Sequence, residues 1–84
     1  MKFYYITFRS VTYAQRGEKT LEKEGVRCTM LRTPKWMENK GCGYCLRLWA
    51  RDAGQGVDLL RRHGVAFGKV YLQNSDGQLE EIEV

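Results

Sequence analysis

The chain has 84 residues, of which 43% are hydrophobic and 29% charged. This length predicts one domain spanning residues 1–84, too small for separate cofactor-binding and catalytic domains. The composition is that of an ordered globular protein, and no stretch approaches the roughly 18 to 20 apolar residues that cross a bilayer. Residues 1–7 lack the length and the cleavage site of a signal peptide, so we expect a cytoplasmic protein with no membrane partner.

Charge is unevenly distributed along the chain, whose net value is +4. Residues 1–73 hold all 14 Lys and Arg with six acids, which gives +8, whereas the four acids of residues 74–84 give −4. A basic body attracts anionic partners such as acidic proteins or nucleic acids, although a solvated surface is the commoner meaning of such an excess.

The first half of the chain predicts a strand, a helix and a second strand. Residues 3–8 are aromatic and β-branched, as in a central strand. Ser10 suits the N-cap of a helix and Gly25 its C-terminus, with an apolar stripe formed by Val11, Ala14 and Leu21. Residues 26–32 predict the second strand, with Val26, Cys28 and Met30 facing the core.

The second half predicts a strand, a helix and a strand again. Residues 44–49 alternate with period two, so that Cys45, Arg47 and Trp49 share one face. Asp52 suits the cap of the second helix, whose stripe is Ala53, Val57 and Leu60, and Gly64 suits its end. Residues 67–73 predict the fourth strand. Asn74-Ser75-Asp76-Gly77 predicts a turn, after which residues 78–84 pair back as a short fifth strand.

This order is the β-α-β-β-α-β pattern of a ferredoxin-like α+β sandwich, with an antiparallel sheet and both helices on one face. The Val that follows each helix-ending Gly is expected to start a strand. The other sheet face is open, and a homodimer through it is a reasonable expectation because small proteins rarely leave such a surface in water. The open face is predicted to carry Tyr5, Thr29, Leu31, Cys45, Arg47, Trp49 and Tyr71.

Two cysteines, Cys42 and Cys45, stand at the i, i+3 spacing of a thiol pair. Cys42 is the candidate reacting sulfur, because Gly41 and Gly43 flank it and expose backbone N–H groups that favour a thiolate. Lys35 and Lys40 lie in the same ten-residue stretch, 34–43, and also favour the anion. Cys45 enters a strand, whereas the thioredoxin motif opens a helix, so Cys45 is either a resolving thiol or an incidental one.

No metal or cofactor is expected. A structural zinc site needs about four Cys or His ligands, and the chain offers only three cysteines and His63. Cys28 is expected in the core and His63 after a surface helix. No phosphate loop, catalytic triad or RNA-binding motif is present, so nucleic acid is not the expected partner.

Three parts of the sequence together resemble the selenium/sulfur carrier protein-like family, small bacterial proteins of about this length. The first part is Tyr5-Ile6-Thr7-Phe8-Arg9-Ser10, followed by a helix that carries Ala14 and Glu18. The second is Thr33-Pro34, followed by a loop that ends in Cys42-Gly43 and a strand that begins Tyr44-Cys45-Leu46-Arg47. The third is the second helix with Gly64-Val65, which leads to the last core strand. The resemblance implies a carrier that holds sulfur or selenium as a persulfide on Cys42. It also implies protein donors and acceptors of that atom, and an accessory protein more than a stand-alone enzyme.

Two other functions stay open at this point. The chain is a thiol–disulfide redox protein if Cys42 and Cys45 cycle together. It is a binding module without chemistry if the open face acts as a dimer surface or stacks RNA bases on its aromatic side chains.

Overall fold

A computed structural model of the chain describes residues 2–33 and 43–82. The elements in these ranges are β1 (Phe3–Thr7), α1 (Val11–Lys23), β2 (Cys28–Arg32), β3 (Tyr44–Trp49), α2 (Ala50–Arg62), β4 (Val70–Gln73) and β5 (Leu79–Ile82). Among these residues, neither helix is long and apolar enough to cross a membrane.

The strands form one antiparallel sheet in the order β2-β3-β1-β4-β5. The first four are arranged as in a ferredoxin-like α+β fold, and β5 adds an edge strand. The predicted fold class is therefore confirmed, including the hairpin strand at the C-terminal side. In the register, Tyr5 of β1 lies opposite Arg47 of β3 and Tyr71 of β4.

The main core lies between the sheet and the two helices. Fully buried sheet residues such as Ile6 and Leu46 pack there with Ala14 and Leu21 of α1 and Leu60 of α2. Cys28 and Met30 also pack against this core, and Val26 is buried in it, as the sequence predicted. Val11 was wrongly assigned to the buried stripe. It is 40% exposed, because it is the first residue of α1 and lies outside the buried side of the helix, which begins at Ala14.

Both helices end in the same way. The N–H of Gly25 bonds to the carbonyl of Glu22 and that of Val26 to Leu21, and Gly64 and Val65 repeat the pattern in α2. Gly25 and Gly64 take φ values of 79° and 68°, as this C-terminal motif requires. The predicted strand start at Val26 was wrong. Its N–H completes α1 instead of joining the sheet, so β2 begins at Cys28.

The fourth strand also begins later than residue 67. Lys69 gives its N–H to the Thr7 hydroxyl at 2.8 Å, and Gly68 gives its own to the Thr7 carbonyl at 2.7 Å. These bonds join the segment to the end of β1, and regular pairing starts at Val70. The predicted turn at 74–77 is confirmed, because Gly77 donates to the Asn74 carbonyl and Asn74 to that of Gln78.

The predicted cap of the second helix was wrong. The N-cap of α2 is Trp49, the last residue of β3, and its side chain makes no capping bond. The N–H of Ala50 instead donates to the carbonyl of Lys2 at 3.0 Å. The first N–H of α2 therefore finds its hydrogen-bond acceptor in the backbone of the N-terminal segment. Asp52 lies in the first turn, where its charge favours the helix dipole.

Two glycines of α2 make a matched pair for a stability test. A Cβ on Gly56 would lie 2.5 Å from Cδ2 of the buried Leu48, whereas a Cβ on Gly54 would meet nothing within 4 Å. We expect Gly54→Ala to stabilise the protein by about 0.5–1 kcal/mol through helix propensity. We expect Gly56→Ala to destabilise it, because overpacking costs about 1–3 kcal/mol. Urea titration measures both, and a gain for both variants would contradict the close contact between α2 and β3.

Candidate functional site

The predicted site residues fall in two groups. Lys35, Lys40, Gly41 and Cys42 lie outside the described residues, so their predicted roles stay predictions. Gly43 and Cys45, together with the end of β2, lie within the described part of the chain and show where the Cys42 segment is attached.

The two attachment points of this segment are held together by the sheet. Arg32 lies opposite Tyr44 in the last pair between β2 and β3, and the Thr33 N–H donates to the Gly43 carbonyl at 2.8 Å. Gly43 has φ of 91°, a conformation that favours glycine over residues with a Cβ. A glycine beside Cys42 therefore does allow an unusual backbone, as its position in the sequence predicted.

This end of the sheet is also where α1 begins. Thr7, the last residue of β1, lies opposite Cys45, and the Ser10 N-cap of α1 follows three residues later. The Ser10 hydroxyl accepts a hydrogen bond from the N–H of Tyr13 at 3.3 Å, which confirms the predicted cap. Exposed Arg9 and Arg32 belong to this end, and the Arg32 guanidinium lies 5.5 Å from the Tyr44 ring centroid. Positive charge at this end favours an anionic sulfur.

Thr33 is a residue of this end whose burial the sequence analysis missed. It is only 5% exposed, and its Oγ1 has no hydrogen-bond partner among the described residues. A buried hydroxyl usually has a partner, since leaving it unbonded costs about 1–3 kcal/mol. The sequence analysis used Thr33-Pro34 only as part of the family resemblance. Nothing in the sequence indicates that Thr33 is buried, because polar residues at strand ends are usually exposed.

Cys45 lies on the open face of the sheet, as predicted, but it is fully buried there. It is opposite Thr7 on one side and Leu31 on the other, and it packs with Tyr5 in a cluster of strand residues. Its exposed fraction is 0%. A thiol in this position meets another protein only after its neighbours move.

Cys28 is unsuited to nucleophilic chemistry for an electrostatic reason. It is half-buried on the helix-covered face, where it packs against the main core. Burial, together with the negative charges of Glu18 and Glu22 on α1, raises the pKa of its thiol to about 11. At pH 7 such a thiol is ionised in about one molecule in ten thousand, whereas an ordinary thiol of pKa about 8.5 is a few per cent ionised.

The raised pKa of Cys28 predicts how its alkylation depends on pH. Only the thiolate reacts, so the rate of Cys28 labelling by iodoacetamide is expected to rise about tenfold per pH unit from pH 7 until it levels near the pKa of about 11. Peptide mass spectrometry follows the peptide that contains Cys28 separately from the others. A plateau below pH 9 would show that neither burial nor the carboxylates of Glu18 and Glu22 raise the pKa of this thiol.

The open face carries the residues predicted for it. The sheet register aligns Thr29, Arg47, Tyr5 and Tyr71 in one row across four strands, and Leu31, Cys45 and Trp49 lie in the rows beside it. The homodimer expected from this face stays a prediction. Within residues 2–33 and 43–82, no group of three or more His, Cys, Asp or Glu side chains is placed to hold a metal ion.

These features define a small α+β protein of ferredoxin-like topology, in which a cysteine-containing segment joins two neighbouring strands at the end of the sheet where α1 begins. The model of the family described as "Putative Se/S carrier protein-like" matches residues 3–72. The chain belongs to this family, which confirms the resemblance seen in the sequence. Comparison with curated proteins and with solved structures found no match.

Proposed function

We propose that the protein carries sulfur or selenium as a persulfide or its selenium analogue on Cys42. The family supports a carrier in general, and a carrier implies protein partners that supply and accept the atom. The choice of Cys42, and the chemistry of the bound atom, are our inference from the environment of the other cysteines.

The observation that carries the proposal is the placement of the two described cysteines. Cys45 is fully buried, and the pKa of Cys28 is raised to about 11. A carrier thiol must be ionised near neutral pH and must reach a second protein. Neither described cysteine meets both requirements, which supports Cys42 as the carrier.

The proposed reaction needs no oxidant. The Cys42 thiolate attacks the outer sulfur of a persulfide on the donor protein, forming a new S–S bond on Cys42 while the donor's own S–S bond breaks. The donor cysteine leaves as a thiolate. Delivery is the same exchange in reverse, in which a nucleophile on the acceptor attacks the outer sulfur and Cys42 leaves as the thiolate.

The burial of Cys45 favours Cys42 as the thiol that meets partner proteins, both in a carrier and in the redox pair considered from the sequence. A thiol that is 0% exposed beside Thr7 and Leu31 is closed to partner proteins, so Cys45 does not exchange sulfur with a donor or acceptor directly. If Cys42 acts alone, the persulfide persists until an acceptor arrives, instead of being released at once by a disulfide within the chain.

Peptide mapping of the wild-type protein tests the proposal directly. The protein is incubated with a cysteine desulfurase and cysteine, alkylated, digested and analysed by tandem mass spectrometry. We expect the mass of one additional sulfur atom on Cys42. Because trypsin leaves Cys42 and Cys45 on one peptide, fragment ions must separate them. Additional sulfur mainly on Cys28 or Cys45 would refute the assignment.

A further inference from the structure

The open face of the sheet is a mixed aromatic and charged surface built from strands alone. Its buried cluster contains Tyr5 and Cys45, and the side chains packed against them also belong to strands: Phe3, Leu31, Tyr71 and Leu79. The buried residues of α1 and α2 belong to the core on the other side. Within the described residues, then, no helix covers this face.

Charge follows a direction across this face. One row runs through Thr29, Arg47, Tyr5, Tyr71 and Glu81, from β2 to β5. The cation of this row, Arg47, lies on β3 to one side of the central strand β1. Its carboxylate, Glu81, lies on β5 to the other side. The Arg47 guanidinium lies 4.6 Å from the Phe3 ring centroid, and Glu81 is 3.4 Å from Lys69 with half of its side chain exposed.

We propose that a second copy of this chain covers the open face, related by a two-fold axis that lies between the sheets and runs nearly parallel to β1. The inference is independent of the proposed carrier chemistry. A rotation about this axis places β3 of one copy over β4 of the other, and β2 over β5. Arg47 then faces Tyr71 of the second copy and lies one strand away from its Glu81.

The charges select this axis over the other in-plane two-fold axis. An axis perpendicular to the strands stacks each strand on its own counterpart, which places Arg47 beside Arg47 and Glu81 beside Glu81. Like charges brought together in an interface oppose association, whereas opposite charges add specificity and speed. Packed sheets are about 10 Å apart, a gap that an arginine and a glutamate together can span.

The size of the face predicts a dimer that dissociates. Five strands about 4.8 Å apart, with four to six residues each, cover roughly 400 Å² in projection. The side chains add relief to this area, but the accessible surface stays at or below the roughly 800 Å² per partner of a standard interface. Association is therefore expected in the micromolar to millimolar range of protein concentration.

Charge reversal tests the axis as well as the dimer. Sedimentation velocity over this concentration range is expected to show a monomer–dimer equilibrium for the wild type, weaker at high salt. Arg47→Glu and Glu81→Arg are each expected to weaken association about tenfold, and the double variant to recover most of the loss. Glu80→Arg is the matched control, because it makes the same charge change on the same strand but opposite Leu72, on the other side of the sheet.

The outcomes separate the alternatives. A wild type that is monomeric at all concentrations overturns the proposal, and so does a Glu80→Arg variant that weakens association as much as Glu81→Arg. A Glu81→Arg variant that associates as well as the wild type shows the perpendicular axis, in which it only exchanges one like-charge pair for another, and overturns the geometry. Arg47→Glu also loses the contact with Phe3, so thermal melts of each variant must show that it is folded. If Arg47→Glu is not folded, the comparison of Glu81→Arg with Glu80→Arg remains the test.

Discussion

Replacing Phe8 by alanine is expected to destabilise the protein by about 3–5 kcal/mol, enough to unfold much of it near physiological temperature. Phe8 is fully buried just after β1, and its ring lies 3.0 Å from the position that a Cβ on Gly17 would occupy. The ring therefore fills the space between the sheet and α1 that the glycine leaves open. Without it, a cavity remains that α1 cannot collapse to fill.

Val11→Ala is the matched control for this substitution. It also shortens an apolar side chain close to β1, but Val11 is 40% exposed at the start of α1, so a change within about 0.5 kcal/mol is expected. Urea unfolding followed by circular dichroism compares the two variants with the wild type. Similar losses for both would mean that the Phe8 ring does not fill the space between the sheet and α1.

Replacing Cys42 by serine is expected to abolish persulfide loading. A serine hydroxyl does not accept a sulfur atom from a persulfide, and the remaining thiols are poorly placed to replace it. Cys45 is buried, and the raised pKa of Cys28 lowers its thiolate fraction at pH 7 about 10²-fold below that of an ordinary thiol. The measurement is the rate at which intact protein gains the mass of sulfur in the presence of a cysteine desulfurase and cysteine.

Two further variants complete that experiment. Cys28→Ser is expected to load at the wild-type rate, since its thiol takes no part. Cys45→Ala is expected to load within about twofold of the wild type if Cys42 acts alone. A clearly greater accumulation of the persulfide in this variant would restore the redox pair, because Cys45 would then be the thiol that releases the sulfur in the wild type. Equal loading of wild type and Cys42→Ser would end the carrier proposal for this residue, and circular dichroism must show that each variant is folded.

Much of the fold follows from local signals in the sequence. The aromatic and β-branched run of β1, the Ser10 cap and the glycines at the two helix ends each act over a few residues, and the structure confirms them. The errors lie where distant backbone decides the outcome. Asp52 was a reasonable cap by residue type, but Lys2, about 50 positions away, satisfies the first N–H of α2 instead. Likewise, Thr7 delays the start of β4 through four hydrogen bonds to residues 68 and 69.

Less of the candidate site than of the fold could be predicted from the sequence. Period-two alternation correctly assigned Cys45 to the open face, but it did not show that this side of β3 is buried at that point. Tyr5 and Leu31, on two other strands, pack with Cys45, so its surroundings depend on the sheet order, which no single segment encodes. The raised pKa of Cys28 likewise depends on its burial, and on α1 placing Glu18 and Glu22 near β2.

The hydrogen bond between Thr33 and Gly43 has a consequence for how this protein can vary. It fixes the two ends of the nine-residue segment 34–42 at neighbouring positions of the sheet. Because the ends are held by β2 and β3, the scaffold does not depend on the length of chain between them. Doubling that length costs only about 0.6 kcal/mol in closure entropy. Insertion or replacement within 34–42 is therefore expected to leave the register of β2 and β3 unchanged, so the segment can diverge in length and sequence without loss of the sheet.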